Sequence, residues 1–181
     1  RTVSRVQFAV SKSKKDNIQW TKGFAEDIPL DNNSVDIITT IFSIHHFSNI
    51  ELAIKEFDRA LKNTGKIFIF TISYRQMKNS LEYIFFPSLL NFDKDRIPKV
   101  EVIEKVLGKF NFKTRTLECA YEIRKIDHTY LKMVRNKYRS GLTLLDDNSL
   151  NAGIRKIQKL LDNNKRLIDF IEVTVIIAWK K

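Results

Sequence analysis

The stretch that decides the fold is residues 20–72, WTKGFAEDIPLDNNSVDIITTIFSIHHFSNIELAIKEFDRALKNTGKIFIFTI. Apolar runs of strand length lie at 18–21, 35–42 and 66–72, and a polar loop and an amphipathic segment separate them. We therefore predict the order strand, loop, strand, helix, strand. This alternation builds a parallel sheet with right-handed crossovers, and open parallel sheets bind ligands at the carboxyl ends of their strands.

The predicted helix of this unit begins after Asn49, a residue type that commonly caps helices. We expect Gly65 to end it in the left-handed conformation. The run at 35–42 is almost continuously apolar, which is typical of a strand covered by helices on both faces. The apolar stripe predicted for the helix consists of Leu52, Ala53, Phe57, Ala60 and Leu61.

The rest of the chain predicts further helices and two more strands. Apolar periodicity indicates helices at 4–15, 100–107, 130–139 and 150–161, the last one capped by Asn148 or Ser149, and strands at 111–124 and 168–179. We expect these two strands to pair antiparallel at a sheet edge. We interpret residues 1–181 as a single α/β domain. Its core comprises 4–73, 97–125 and 168–180, and 74–96 and 126–165 are helical insertions.

Composition limits the class of protein. The chain has 181 residues and a net charge of +11. Its one cysteine, Cys119, excludes an internal disulfide framework and a cysteine zinc cluster. No apolar run reaches the roughly 18 to 20 residues of a membrane span, and no signal peptide is recognisable at residue 1. We expect a cytoplasmic protein. The positive charge fits either a lysine-rich solvated surface or an acidic partner such as RNA or an anionic membrane.

Two short motifs follow predicted strands. The first is 23–29, GFAEDIP, in which Gly23 permits a tight turn. A free backbone N–H and a nearby carboxylate in such a loop can together recognise an adenine edge. The second is 41–47, IFSIHHF, whose adjacent histidines suit a general base because the ordinary histidine pKa lies near neutrality. Metal binding is a weaker interpretation, since no other ligand lies nearby at a suitable spacing.

These motifs, together with the helix-to-strand passage at 56–66, resemble the cofactor domain of class I S-adenosylmethionine-dependent methyltransferases of the ubiquinone and menaquinone biosynthesis type. The resemblance covers roughly 4–112 and the final strand. It implies a Rossmann-like fold, with a mostly parallel sheet, helices on both faces and an antiparallel C-terminal edge strand, and it implies S-adenosylmethionine as cofactor. The cofactor contacts it implies are Phe24, Ala25, Glu26, Ile41 and Phe42. Phe24 departs from the family pattern, because the family has an acidic or amide residue there.

The same resemblance implies a helical substrate lid and a small-molecule methyl acceptor. His46 is the predicted general base, and no metal is predicted. The predicted substrate contacts are Tyr83, Phe86, Tyr130 and Arg135. No G-x-G turn occurs in the sequence, so we expect the family's glycine-rich cofactor motif, and the first strand that precedes it, to lie outside this sequence. Methylation of tRNA or another nucleic acid, and a non-catalytic binding role, are the alternative functions. The oligomeric state and the identity of the acceptor stay open.

Overall fold

The protein is described by a computed structural model that covers residues 17–165 and 167–181. The predicted helix at 4–15 lies outside these described residues. Among them are four strands, β1 Val35–Ile41, β2 Leu61–Thr71, β3 Phe112–Ile126 and β4 Leu167–Lys180. The helices are α1 Ile50–Ala60, α2 Tyr74–Asn79, α3 Leu81–Phe85, α4 Pro87–Arg96, α5 Val100–Lys109, α6 His128–Arg135 and α7 Asp147–Asp162, with 3₁₀ turns at Ile44–His46 and Ser140–Thr143.

The four strands form one mixed sheet in the order β1-β2-β4-β3. β1 and β2 are parallel, and β4 is antiparallel to both β2 and β3. The α/β class and the antiparallel pairing of the last two strands are therefore confirmed. β4 lies between β2 and β3 rather than at the margin, so in the described part of the chain the edge strands are β1 and β3.

The passage from α1 into β2 differs from the prediction at Gly65. No glycine of the described residues has a positive φ, so the left-handed turn predicted there is wrong. Instead, the pairing of β1 with β2 shifts between Val35↔Leu61 and Ile37↔Lys66, which accommodates extra residues in β2. A Cβ on Gly65 would lie 2.6 Å from Leu61 Cδ1 and 2.9 Å from the Asp36 carbonyl oxygen. Glycine is required here for close approach of the two strands.

β1 is less covered than its apolar sequence predicts. Ile37 and Ile41 are 61% and 62% exposed, while Thr40 on the opposite face is buried. Coverage on both faces is therefore wrong for the described part of the molecule. The predicted strand at 18–21 is also wrong, because a strand needs a hydrogen-bonded neighbour and the structure pairs this segment with no described strand.

The helices bury apolar residues in two separate cores. The sheet core lies between β1, β2 and β4 and the helices α1 and α5; its buried members are Ile44, Ile54, Phe57, Leu61, Ile67, Ile69, Ile103, Leu107, Phe112, Ile176 and Ala178. The helical core joins α2–α4 to α6 and α7; its buried members are Met77, Tyr83, Phe85, Phe86, Leu89, Ile97, Ile126, Tyr130, Leu131, Val134, Leu142, Leu145, Leu150 and Ile157.

Two details of the helices correct the sequence interpretation. Leu52 is exposed, because the buried stripe of α1 consists of Ala53, Ile54, Phe57 and Ala60. Helix α7 is capped by Asp146, whose carboxylate accepts a hydrogen bond from the Ser149 N–H at 2.8 Å. Asp146 is the cap rather than Asn148 or Ser149, because its carboxylate oxygens reach the free N–H groups of the first turn.

Candidate active site

A cavity of about 260 Å³ lies where β1 and β2 end. Phe42 directly follows β1, and Thr71 is the last residue of β2. Because the two strands are parallel, their carboxyl ends meet at one edge of the sheet. The cavity is lined by Phe42, His45, Thr71, Ile72, Ser80, Glu82, Tyr83, Arg96, Ile97, Tyr138, Arg139 and Ser140. The sheet thus supplies one wall, and the helical segments supply the others.

Phe42 occupies an unusual backbone conformation at this edge. Its φ is +45°, in the left-handed region that non-glycine residues rarely adopt. Its N–H donates to the Phe70 carbonyl at 2.9 Å, so the chain stays paired with β2 through the turn. Non-glycine residues held in this region concentrate at functional sites. This turn brings Phe42 to the cavity, which it lines together with residues of the helical segments.

The predicted cofactor loop is anchored to the start of α1 by Glu26. One carboxylate oxygen accepts hydrogen bonds from the Ser48 hydroxyl and the Asn49 N–H, each at 2.9 Å. Partial burial of Glu26 opposes ionisation, but the hydrogen bonds from Asn49 and Ser48 outweigh it and lower the pKa. Glu26 therefore holds the loop against the segment that follows β1.

Glu56 and Arg59 of α1 fix the other end of this loop. The Ile28 N–H donates to Glu56 Oε2 at 3.1 Å, and Arg59 donates to the carbonyls of Ile28 and Leu30 at 2.8 and 2.7 Å. The two side chains also pair with each other at 2.8 Å. Both side chains are partly buried and bind the loop backbone, so the pair is not an isolated contact on an exposed helix face.

The other predicted cofactor residues lie on the surface at the same edge. Phe24 is 72% exposed, and its backbone bridges to Asp27 across the turn. The Ala25 N–H donates to no acceptor among the described residues. Ile41 and Phe42 are exposed apolar side chains at the end of β1. An uncommitted N–H beside exposed apolar groups fits a planar base and an apolar chain, which is how the adenosine and methionine parts of S-adenosylmethionine would be held here.

The two adjacent histidines form the 3₁₀ turn after β1, and the structure separates their environments. His45 lines the cavity, whereas His46 is exposed and is not among the cavity residues. Their rings lie 4.1 Å apart. Desolvation, followed by the charges of His46 and Arg96, lowers the pKa of His45 to about 4. His45 is thus neutral near pH 7 and able to accept a proton, while the role predicted for His46 stays a prediction.

A buried cluster of charges adjoins the cavity. Glu82 of α3 and Asp93 of α4 are 4% and 0% exposed. Arg139 lies between them and pairs with Glu82 and, at 2.9 Å, with Asp93. Arg96 donates to the other Asp93 oxygen at 2.5 Å. Buried charges are tolerated only when they are paired in this way.

Two tyrosines complete the cluster. Tyr83 donates to Asp93 at 2.8 Å, and Tyr138 donates to Glu82 at 2.7 Å. Burial raises the pKa of Tyr83 above its ordinary range, so its hydroxyl stays protonated. Burial opposes the charge of Arg139, but its attraction to Glu82 and then Tyr83 outweighs this and raises the Arg139 pKa. The cluster joins α3, α4 and the segment after α6 beside the cavity.

The predicted substrate residues have different positions. Tyr83 lines the cavity, but Phe86 and Tyr130 are members of the helical core and are not among the cavity residues. Arg135 donates to Gln158 of α7 at 3.2 Å on the surface. The sequence interpretation missed Glu82, Asp93, Arg96 and Arg139. Glu82 alone gave a signal, since it interrupts an apolar and aromatic run.

Within residues 17–165 and 167–181, no group of three or more His, Cys, Asp or Glu side chains is arranged to hold a metal ion. In the same described part of the chain, no helix has the length and apolar character needed to cross a bilayer.

The sequence matches the family described as a methyltransferase domain over residues 2–69. It is 25% identical over 130 residues to the demethylmenaquinone methyltransferase of Chlorobaculum tepidum, covering 61% of this chain and 54% of that protein. It is 37% identical over 54 residues to the uncharacterized methyltransferase YcgJ of Bacillus subtilis, covering 30% and 21% of the two chains. This chain thus spans about half or less of these curated relatives.

Solved structures share the fold. A protein from Anabaena variabilis, described as a methyltransferase of an antibiotic biosynthesis pathway, superposes with a TM-score of 0.75 at 21% identity, covering 91% of this chain and 74% of that one. The crystal structure of YcgJ gives a TM-score of 0.56 at 17% identity, with coverages of 97% and 76%. Residues 2–69 thus match a methyltransferase domain, and the described residues share the fold of solved methyltransferase structures.

Proposed function

We propose that the protein transfers a methyl group from S-adenosylmethionine to a small-molecule acceptor bound in the cavity. The observation that carries this proposal is the position of Phe42. Phe42 lines the cavity, and it follows the strand end at which we expect the cofactor. A single residue at the carboxyl edge of the parallel pair would therefore lie between the cofactor and an acceptor in the cavity.

The cofactor would be held by the anchored loop and the end of β1. The Ala25 N–H would donate to the adenine ring, Phe24 would stack on it, and Ile41 and Phe42 would contact the methionine chain. Glu26 would keep the loop in place through Ser48 and Asn49 rather than contact the base. When bound, S-adenosylmethionine supplies a methyl group on a sulfonium that is already activated.

The chain's own contribution is alignment, exclusion of water and movement of one proton. Helical segments line the cavity on the side away from the strand ends, so an acceptor in it would be partly shielded from bulk water. Holding the reacting atoms in line can lower a barrier by about 7–11 kcal/mol. His45 lies on the cavity wall and would accept the proton from an acceptor O–H or N–H, as a weaker base than an ordinary histidine because its pKa is lowered. His46 is the alternative base and differs in being exposed.

The relative from Chlorobaculum tepidum is named for demethylmenaquinone, so quinols belong in any acceptor screen. Because the cavity is small, only a compact part of an acceptor can enter it. The positive net charge alone supports the nucleic-acid alternative, and salt-dependent RNA binding would promote it.

The test is calorimetric titration of S-adenosylhomocysteine into the full-length protein. We expect saturable 1:1 binding that weakens at least tenfold in Phe42→Ala. The matched control is Phe92→Ala, because Phe92 is also partly exposed but does not line the cavity. Absence of binding by the folded full-length protein would overturn the proposal, and equal weakening by both variants would remove Phe42 from the site.

A further inference from the structure

We infer that the cavity contains a carboxylate-binding site, and that the molecule bound there is a compact apolar acid. The inference rests on the proposed function only in taking this acid as the methyl acceptor. The site itself is defined by Thr71 and Ser80, which carry hydroxyls, and by Arg96, and all three residues line the cavity.

Ser80 is the first of these observations. It occupies the N-cap position of α3, yet its side chain makes no capping hydrogen bond. Ser73, at the N-cap of α2, caps in the ordinary way. The first N–H of α3, that of Leu81, is instead satisfied by Asp169 at 3.2 Å. The Ser80 residue is 6% exposed, and its hydroxyl, with no partner among the described residues, belongs to the cavity wall.

Thr71 provides the second hydroxyl. It is the last residue of β2 and is 2% exposed, and its backbone pairs with Thr174 of β4. No described residue forms a hydrogen bond with its hydroxyl. Both residues line the cavity, where their hydroxyls are available to donate to a ligand that accepts hydrogen bonds.

Arg96 supplies the charge that selects a carboxylate. Of its donors, one Nη2 hydrogen bond goes to Asp93, and its buried Nε has no partner among the described residues. Arg139, in contrast, is engaged by Glu82, Asp93 and Tyr83. Guanidinium groups bind carboxylates strongly because both members of the pair are charged and their geometries match. An acid at this wall would give Arg96 a second anionic partner.

The remainder of the cavity fixes the body of the ligand. Phe42, Ile72 and Ile97 add apolar lining to the same cavity. Its volume of about 260 Å³ lies below the roughly 300–1,000 Å³ of pockets that hold drug-sized molecules. The space therefore suits a single ring or a short branched chain that carries one carboxylate.

Benzoate is the probe, and benzamide is its neutral counterpart of nearly the same shape. Binding of each is measured by NMR titration of the full-length protein without added cofactor. We expect benzoate to bind at least tenfold more tightly than benzamide or phenol, because charge-assisted hydrogen bonds are the stronger kind. Equal affinity for the three probes would overturn the inference.

Variants test the assignment of residues. Arg96→Gln, Thr71→Val and Ser80→Ala should each weaken benzoate binding severalfold or more while changing benzamide binding little. Arg115→Gln is the matched control, since Arg115 is exposed and distant from the cavity wall. If Arg96→Gln disturbs Asp93 and the fold, Thr71→Val and Ser80→Ala still test whether the carboxylate binds here. Unchanged benzoate binding in both hydroxyl variants would overturn the inference.

The two proposals fail separately. Binding of S-adenosylhomocysteine without discrimination among the probes would leave methyl transfer standing and remove the acid site. Selective benzoate binding without S-adenosylhomocysteine binding would leave the acid site standing and remove its role as a methyl-acceptor site.

Discussion

The sheet core and the helical core are stabilised in different ways. Every buried member of the sheet core is apolar, from Ile54 in α1 to Ile176 in β4. The helical core adjoins the buried carboxylates of Glu82 and Asp93, which Arg139 neutralises. An apolar core tolerates exchange of one aliphatic side chain for another, whereas a buried ion cluster depends on specific partners. The helical part should therefore be the more sensitive to single polar substitutions.

The largest expected effect is that of Arg139→Met. It removes the cation shared by Glu82 and Asp93 and leaves buried carboxylates undercompensated, which typically costs about 3–5 kcal/mol. Denaturant unfolding at 25 °C measures the loss. The control, Arg115→Met on the exposed part of β3, should change the free energy of unfolding by about 0.5 kcal/mol or less. Similar values for both variants would contradict the distinction between the cores.

Alanine substitutions at two glycines, Gly153 and Gly108, test the comparison through packing. A Cβ on Gly153 of α7 would overlap the Phe86 ring, so Gly153→Ala should destabilise the protein by about 1–3 kcal/mol. A Cβ on Gly108 of α5 would meet nothing within 4 Å. Gly108→Ala should stabilise by about 0.5 kcal/mol, because alanine is the better helix former. Thermal unfolding of both variants checks the opposite signs, and a common sign would refute the comparison.

His45 should give the helical side of the cavity a pH response. Its pKa is about 4 in the folded protein against 6.5 ordinarily. Between these values the unfolded chain binds a proton that the folded chain does not, so stability falls as pH falls from about 6.5 to about 4. The groups that set this pKa besides burial are His46, Arg96, Arg139 and Asp93. His45→Gln should flatten the free energy of unfolding in this window, and an unchanged slope would count against the assignment.

The smallest expected effect concerns an ion pair between α1 and α5. Lys109 and Glu51 lie 2.6 Å apart, and both side chains are about half exposed. Lys109→Ala should cost about 1 kcal/mol or less, since solvent screens such pairs. The same denaturant measurement applies. A loss as large as that of Arg139→Met would show that exposed and buried pairs are equivalent here.

The sequence predicted the β1–α1–β2 unit because its periodicity is local. Apolar runs and the Asn49 cap are visible within a few residues of each other. The placement of β4 between β2 and β3 could not be predicted in this way, since strand order depends on pairing over long separations. The exposed face of β1 was missed for a related reason: an apolar run shows what a strand can bury and not what lies against it.

The candidate site was predicted in part. Its place at the strand ends, the Phe42 wall and Tyr83 followed from order along the chain and from the family resemblance. Which of the two histidines lines the cavity could be seen only in the structure, because His45 and His46 have the same sequence context. The partners Glu82, Asp93 and Arg139 are separated by up to 57 residues. A charged residue within an apolar run indicates that it has a partner elsewhere in the fold, but the run does not show which residue that partner is.

The position of β4 has a consequence for the order of folding. β4 follows every other described element in the chain, yet it is the strand that connects β2 to β3. During synthesis, β3 therefore has no partner in the sheet until residues 167–180 have left the ribosome. Long-range strand pairing of this kind is slow to form. Until then, the exposed edges of β2 and β3 are available to other chains, so a chaperone that shields nascent strands should raise the yield of folded protein.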